Sequence, residues 1–188
     1  MGGRAPAERP RRTDARRNRE RLLTVAREAF DEAGPDASLV EIARRAGVGQ
    51  GTLYRHFPTR TALLTAVLAD RIETLCRQAA ELSATHSADD ALATWLRLFL
   101  VHARVNQALA GTLMAEGPES ATVACHEVIT HAATGLLDRA QREGTARSDL
   151  TPDDLLQLLV GIALATARDG DADQADRLFA LALDAVRR

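Results

Sequence analysis

Apolar residues recur at helical spacing along almost the whole chain, and no segment alternates convincingly between apolar and polar residues. The first such segment follows Asp14 and carries Leu22, Leu23, Ala26 and Phe30 on one side of a helix. An amphipathic helix has to bury its apolar face, and in a chain without sheets other helices must cover it. The sequence therefore predicts an all-α fold of about nine helices.

Several helix boundaries are marked by residues that start or stop a helix. Ser38, with Glu41 three residues later, has the spacing of a capping box, in which side chains satisfy the free backbone N–H groups of a first turn. Gly47 suits the left-handed position that follows a helix. Thr59 and Thr151 have the residue type and the position of caps for the fourth and the penultimate helix.

Charge is distributed unevenly along the chain. Residues 1–60 contain 13 arginines and 8 acidic residues, a net charge of +5, whereas residues 61–188 contain 11 arginines and 18 acidic residues, a net charge of −7. A basic segment ahead of an acidic remainder favours a polyanion-binding module joined to a second domain. We predict a disordered arginine-rich tail over residues 1–13, a first domain over 14–60 and a second over 61–188.

The composition argues against several classes of protein. With 46% hydrophobic and 27% charged residues, the chain is typical of a globular protein. The two cysteines, Cys76 and Cys125, are too few for a disulfide framework, which favours a reducing cytoplasm. The sequence contains no run of about 18 apolar residues, so it predicts no membrane span. The arginines near the N-terminus are not followed by the apolar stretch of a secretory signal.

Residues 38–57 place two short helices on either side of a turn that contains glycine, at residues 47–49. This arrangement is typical of a helix-turn-helix. The spacing puts Val48, Leu53 and Phe57 on the inner side of the second helix, whose polar outer side suits a major groove about 12 Å wide. The outward residues are predicted to be Gln50, Gly51, Thr52, Tyr54, Arg55 and His56.

The outward residues have the chemistry of contacts with duplex DNA. Gln50 can bond to the edge of a base, adenine in particular, and Thr52 offers a hydroxyl and a methyl group. Tyr54 and His56 can donate hydrogen bonds to phosphate oxygens, and Gly51 lets the backbone approach closely. Further phosphate contacts are predicted for Ser38, at the start of its helix, and Arg60.

The segment SLVEIARRAGVGQGTLYRHFPTRTALL, residues 38–64, resembles the tetracycline-repressor (TetR) family of bacterial transcription regulators. The similarity extends over roughly residues 16–66, and AGV, TLYRHF and the following leucines stand where the family has them. The resemblance implies a DNA-binding domain followed by a helical ligand-binding and dimerisation domain. It also implies a homodimer that binds a near-palindromic operator, most often as a repressor, and that a small-molecule effector releases.

In this family the last two long helices form a four-helix interface between two subunits. Here they are predicted at residues 152–168 and 173–187, and each has an apolar face broader than one core requires. The predicted interface residues are Leu155, Leu159, Ile162, Leu178, Leu181, Ala182 and Val186.

A pocket for a partly apolar effector is expected among the middle helices. Each candidate is of a type that also serves as plain core, so both roles stay open at this stage. The candidate lining residues are Trp95, Phe99, His102, Leu109, Leu113, Met114, Val128 and His131.

Two other functions are compatible with parts of the sequence. The sequence contains no set of nucleophile, base and orienting residue, so we predict no catalytic residues and no cofactor. His126 and His131 are five residues apart, which does not fit the H-E-x-x-H pattern of zinc proteases. A metal-sensing regulator that uses Cys125, His126 and His131 remains an alternative, although we predict no metal site. A helical carrier whose basic end binds another partner is the other alternative.

Overall fold

The computed structural model describes the backbone of residues 9–116, 119–167 and 172–187, and their side chains except at residues 9–13, 116, 119–122 and 172. Over this part of the chain it contains nine α-helices and no β-strand, which confirms the all-α prediction. The helices are α1 (Arg9–Ala33), α2 (Leu39–Arg45), α3 (Gln50–His56), α4 (Arg60–Thr85), α5 (Ala88–Val105), α6 (Gln107–Glu116), α7 (Glu119–Arg142), α8 (Pro152–Ala165) and α9 (Ala172–Val186).

The chain divides into two compact units, residues 1–67 and 68–188, and the boundary lies inside α4. The sequence instead places the domain boundary at residue 60, where α4 begins. Leu63, Leu64 and Val67 are fully buried and belong to the first unit. The helix cap in the sequence marks the residue at which α4 begins. The buried residues instead show that the first turns of α4 pack in the first unit.

The first helix starts earlier than the sequence predicts. Since α1 begins at Arg9, residues 9–13 of the predicted disordered tail are helical. Arginine has a good helix propensity, and Pro10 lies in the first turn, where its missing N–H would have no helical partner. Neither effect is visible in the spacing of apolar residues. Residues 1–8 of the predicted tail lie outside the described residues.

The core of the first unit follows the predicted apolar faces. Leu22, Ala26 and Phe30 of α1 are buried, as are Ile42 and Ala43 of α2. α1 packs against both α2 and α3, and α2 packs against α3. The two short helices are therefore held on one long helix.

The second unit is built around α5, which packs against α7 and α8, while α8 also packs against α9. Trp95 is fully buried, and its indole Nε1 donates a hydrogen bond to the carbonyl oxygen of Leu75 at 3.0 Å. Its ring stacks on Phe99 with 5.8 Å between centroids. Such aromatic pairs contribute about 0.5–1.5 kcal/mol beyond the area they bury.

The start of α8 is as predicted. Thr151 Oγ1 accepts a hydrogen bond from the backbone N–H of Asp154, and the Asp154 carboxylate accepts one from the backbone N–H of Thr151 at 2.9 Å. Both bonds of a capping box are thus present, and Pro152 occupies the first helical position.

The residues predicted for the dimer interface lie mostly in the core of their own unit. Five of these residues are buried in the core of the second unit, and Leu178 packs against that core. Only Leu181 is widely exposed, at 66%. The periodicity of α8 and α9 identifies an apolar face but does not say which protein surface covers it, and here the covering surface is in the same chain. The five buried residues are Leu155, Leu159, Ile162, Ala182 and Val186.

The predicted pocket residues also separate into two groups. Trp95, Phe99, Leu109 and Leu113 are buried and His102 is partly buried, whereas Met114, Val128 and His131 are exposed. Val128 and His131 line a surface groove of about 500 Å³ between α4 and α7, together with small residues such as Ala79 and Gly135. These two residues and the buried group therefore do not form one pocket.

Within the described ranges, no helix has both the length and the apolar character that crossing a membrane requires.

Candidate nucleic-acid interface

The site begins at the N-terminus of α2, where Ser38 is the cap. The backbone N–H of Glu41 donates to Ser38 Oγ at 3.3 Å, which is one half of the predicted capping box. Both oxygens of the Glu41 carboxylate accept hydrogen bonds from Arg44, at 2.8 and 2.7 Å. This bonding to Arg44 lowers the pKa of Glu41. The hydroxyl hydrogen of the exposed Ser38 can still be donated outward.

The turn between the two short helices depends on glycine. Gly47 has a φ of 67°, which confirms the predicted left-handed position. A Cβ atom at Gly47 would lie 2.7 Å from Nη2 of Arg21, and this nitrogen donates to the carbonyl oxygen of Ala46 at 2.6 Å. The backbone angle therefore disfavours any larger residue at position 47, and a Cβ atom there would also require the Arg21 guanidinium to shift.

The third helix has one buried and one exposed side. Leu53 and Phe57 are 1% and 2% exposed, and the guanidinium of Arg19 lies 5.2 Å from the centroid of the Phe57 ring. Tyr54, the neighbour of Leu53, is 47% exposed. Gln50, Gly51 and Arg55 are also exposed, while Thr52 and His56 are half-buried.

Gly51 leaves the exposed side of α3 open at its first turn. A Cβ atom there would meet nothing within 4 Å, and the same is true of Gly49, the N-cap of the helix. A ligand can thus approach the backbone closely at this point.

Arg60 makes contacts that the sequence did not predict. Its Nη1 donates to the carbonyl oxygens of Pro35 and Ala37, at 2.7 and 2.6 Å, and its side chain is partly buried. The bonds tie the start of α4 to the two residues that flank Asp36, directly before Ser38. This guanidinium therefore holds the segment that leads into α2. No sequence motif signals such a long-range bond to backbone carbonyls.

Both arginines of α2 are paired with acids. Arg45 binds Glu32 at 2.8 Å and Glu28 at 3.2 Å, so much of its charge is balanced within the protein. Arg44 is balanced by Glu41 in the same way. The excess of arginine in the sequence therefore overstates the positive charge available near α2.

Two family models match this chain. The model of bacterial regulatory proteins of the tetR family covers residues 22–67, and that of the SbtR-like transcriptional regulator C-terminal domain covers residues 87–188. The second match alone spans more than half of the chain. The chain belongs to the TetR family.

Relatives of known name agree with this assignment. The chain is 30% identical over 173 residues to the HTH-type transcriptional regulator UidR of Escherichia coli strain K12. The aligned residues cover 88% of this chain and 87% of UidR. It is 38% identical to a TetR transcriptional regulator of Streptomyces coelicolor of known crystal structure. That similarity has a TM-score of 0.76 and covers 90% of this chain and 98% of the other.

A more distant structure shares the fold alone. It is a transcriptional regulator from Saccharomonospora viridis that was crystallised in complex with choline. Its identity to this chain is 19%, its TM-score is 0.72, and the similarity covers 90% of this chain and 97% of the other.

As a TetR-family member, the protein is a DNA-binding transcriptional regulator, and regulators of this family are typically not enzymes. The helix-turn-helix of residues 38–57 lies within the part matched by the DNA-binding family model. One exposed residue of this TetR-family unit was absent from the predicted site. Val40, in the first turn of α2, is 53% exposed. Valine has no group that donates or accepts a hydrogen bond, so the side-chain chemistry that identified the polar contacts did not identify it.

The alternative metal site finds no support in the side-chain arrangement. Among the described residues, no group of three or more His, Cys, Asp or Glu side chains lies close enough to hold a metal ion. Cys125 is half-buried, and His126 Nε2 lies 3.6 Å from a carboxylate oxygen of Asp153, which is an ion pair when the imidazole is protonated.

Proposed function

We propose that this TetR-family protein is a repressor that binds a near-palindromic operator as a homodimer. The observation that carries the proposal is the two-sidedness of α3. Leu53 and Phe57 anchor the helix in the first unit, while Gln50 and Tyr54 face outward. A helix fixed in this way can enter a major groove without losing its own packing.

The outward residues divide into two roles in this proposal. Gln50 and Thr52 read base edges, since an amide and a hydroxyl can match the donors and acceptors of the major groove. Phosphate contacts come from Ser38, Tyr54, Arg55 and His56, which fix the register of the protein on the duplex. Gly51 allows the backbone to come close to the DNA. We assign Arg60 to holding the segment before Ser38, because its Nη1 already bonds to two carbonyl oxygens.

We place the dimer interface on the exposed side of α8 and α9. Leu158, Leu164 and Leu181 are 46%, 54% and 66% exposed, and several exposed leucines on two helices that pack together suit a surface that a partner covers. Gly161 lies between Leu158 and Leu164 in α8. A Cβ atom there would meet nothing within 4 Å, so a partner helix can approach at this point. A two-fold dimer presents two recognition helices, and these require a near-palindromic operator.

We assign DNA binding to the first unit and effector sensing to the second, with the groove between α4 and α7 as the candidate site for a small, partly apolar effector. Ala79, Val128 and Leu136 supply apolar walls, and Glu127 and His131 supply polar groups. Because α4 belongs to both units, a shift of this helix can carry the signal. An effector that favours the released form by about 3 kcal/mol shifts the equilibrium by more than 100-fold.

The test is selection of an operator from random duplex DNA with the full-length protein. We expect a near-palindromic sequence whose affinity, measured by fluorescence anisotropy, falls steeply with salt. A library of small molecules is then screened for release of the selected DNA, and Val128→Trp is expected to fill the groove and weaken the response to an active compound. Recovery of no preferred sequence would contradict the proposal, and recovery of a single unrepeated half-site would contradict its dimeric part.

A further inference from the structure

One apolar side chain lies on the outer side of α2. Val40 is 53% exposed, whereas Ile42 and Ala43, two and three residues later, are 0% and 1% exposed. The helix is therefore anchored by one side and presents a branched aliphatic group on the other. A single exposed valine is ordinary on a protein surface, so its surroundings decide whether it has a role.

The surroundings of Val40 in the sequence of α2 are polar. Ser38 precedes it as the helix cap, and the pair formed by Glu41 and Arg44 follows it. Among residues 38–57, the large hydrophobic side chains that are exposed are those of Val40 and Tyr54. Tyr54 has a hydroxyl group that can bond to phosphate. Val40 has no polar atom, so it can contribute to recognition only through apolar contact.

The neighbouring helix offers no apolar side chain in its first turn at residues 50 and 51. The first turn of α3 has no side chain at Gly51, where a Cβ atom would meet nothing within 4 Å. Gln50, exposed beside it, reads hydrogen-bonding groups rather than methyl groups. A base edge at the first turn of α3 would therefore meet a backbone and an amide, whereas one at the first turn of α2 would meet the isopropyl group of Val40.

We propose that Val40 helps to select the operator by packing against the 5-methyl group of a thymine in the major groove. Thymine carries a methyl group on its major-groove edge, and an aliphatic side chain recognises that group without any hydrogen bond. The inference rests on the proposed function, since it requires that α2 and α3 meet duplex DNA. It adds one determinant of sequence preference that the polar residues do not supply.

The test replaces thymine by deoxyuridine, which lacks only the 5-methyl group. With the full-length protein and the selected operator, each thymine and its symmetry mate are exchanged in turn, and binding is measured by anisotropy. Loss of one buried methyl group is expected to weaken wild-type binding about fourfold per half-site. We call the loss of affinity on exchange of a thymine for uracil the uracil penalty at that position. At the position that Val40 contacts, the Val40→Ala variant is expected to show no uracil penalty, whereas at other positions its penalties should equal those of the wild type.

Two further variants make the comparison specific. Thr52→Ser removes the other candidate methyl group and should abolish a uracil penalty at a different thymine. Val123→Ala alters a valine of similar exposure, 49%, on α7, and should leave every penalty unchanged. The thermal unfolding of Val40→Ala should match that of the wild type, because the side chain lies outside the core.

The possible results separate this inference from the proposed function. If the wild type shows no uracil penalty, or if Val40→Ala keeps all of them, the role of Val40 is wrong although the protein still binds its operator. If selection yields no preferred DNA sequence, both the proposed function and this inference are overturned. A penalty that disappears only in Val40→Ala supports the contact.

Discussion

At the scale of the residue, exposure separates side chains that look alike in the sequence. Tyr54 of α3 and Phe57, which directly follows this helix, are three positions apart, yet they are 47% and 2% exposed. Phe57 lies under the guanidinium of Arg19 and anchors the helix. Tyr54 can therefore contact DNA without loss of core packing, and the two aromatic residues have different functions.

We expect the two polar groups of α3 to differ in their effect on recognition. Gln50→Ala should change the preferred operator, because removal of a bidentate pair of hydrogen bonds takes away about 1–3 kcal/mol of discrimination between bases. Tyr54→Phe should weaken binding to all sequences alike, since it removes only a hydroxyl that meets phosphate. Operator selection repeated with each variant is the measurement. An unchanged preference for Gln50→Ala would show that Gln50 does not read a base.

Arg55 and Arg60 can be compared by the same substitution, because we predict different roles for them. Arg55→Gln should reduce the slope of log affinity against log salt by about 0.9 for each phosphate that it no longer neutralises. Arg60→Gln should leave most of that slope intact and lower the free energy of unfolding by about 1–3 kcal/mol, because it removes a charged donor from two backbone carbonyls. Salt titrations and urea unfolding separate the two. If Arg60→Gln lowers the slope as Arg55→Gln does, Arg60 also neutralises a phosphate.

At the scale of the element, the glycine turn decides how α2 and α3 are joined. Gly47→Ala should destabilise the first unit by more than about 1 kcal/mol, because alanine is strained at a φ of 67° and its Cβ meets Arg21. Gly51→Ala is the control, since a Cβ atom there meets nothing within 4 Å. Thermal unfolding should distinguish the two variants, and equal melting temperatures would contradict the role of the turn.

A buried polar group near the end of α5 should give the protein a dependence of stability on pH. Asn106 is buried, and its side-chain oxygen accepts a hydrogen bond from Arg71 of α4. Its side-chain nitrogen lies 3.1 Å from Nδ1 of His102. Burial, together with the nearby charge of Arg71, lowers the pKa of His102 from 6.5 to about 4. At neutral pH this histidine is therefore uncharged in the folded state.

Because the pKa in the folded protein is lowered, the contribution of His102 to stability is fully present above about pH 6.5 and is lost as the pH falls towards 4. The loss across this window is at most roughly 3 kcal/mol. Urea unfolding at pH 7 and pH 4.5 should show a smaller difference for His102→Gln than for the wild type. His86→Gln, at an exposed histidine, should behave as the wild type, and an equal pH dependence in all three would contradict the prediction.

At the scale of the whole molecule, the proposed dimer can be separated from the fold of the chain. Leu181→Glu should yield a monomer with normal helical content, because this side chain is 66% exposed and outside the core. Its affinity for a full operator should fall at least tenfold, since two linked half-sites no longer act together. Val101→Glu, 53% exposed on α5, is the control. Analytical ultracentrifugation gives the mass, and a dimeric Leu181→Glu variant would contradict the proposed interface.

The sequence by itself determined the all-α fold, the caps at Ser38, Thr59 and Thr151, the left-handed glycine at position 47, and the family to which the chain belongs. These are local properties, because helix periodicity, capping and turn geometry depend on residues a few positions apart. The motif of the DNA-binding domain is local in the same sense.

Only the tertiary structure decided which apolar surfaces are covered and which long side chains are already bonded. It placed Leu155 in the core while leaving Leu181 exposed, it tied Arg60 to the carbonyls of Pro35 and Ala37, and it exposed Val40. Periodicity gives the direction of an apolar face relative to its own helix, but burial depends on which other helix lies opposite. That partner is distant in sequence, so its position is fixed by the packing of the whole unit.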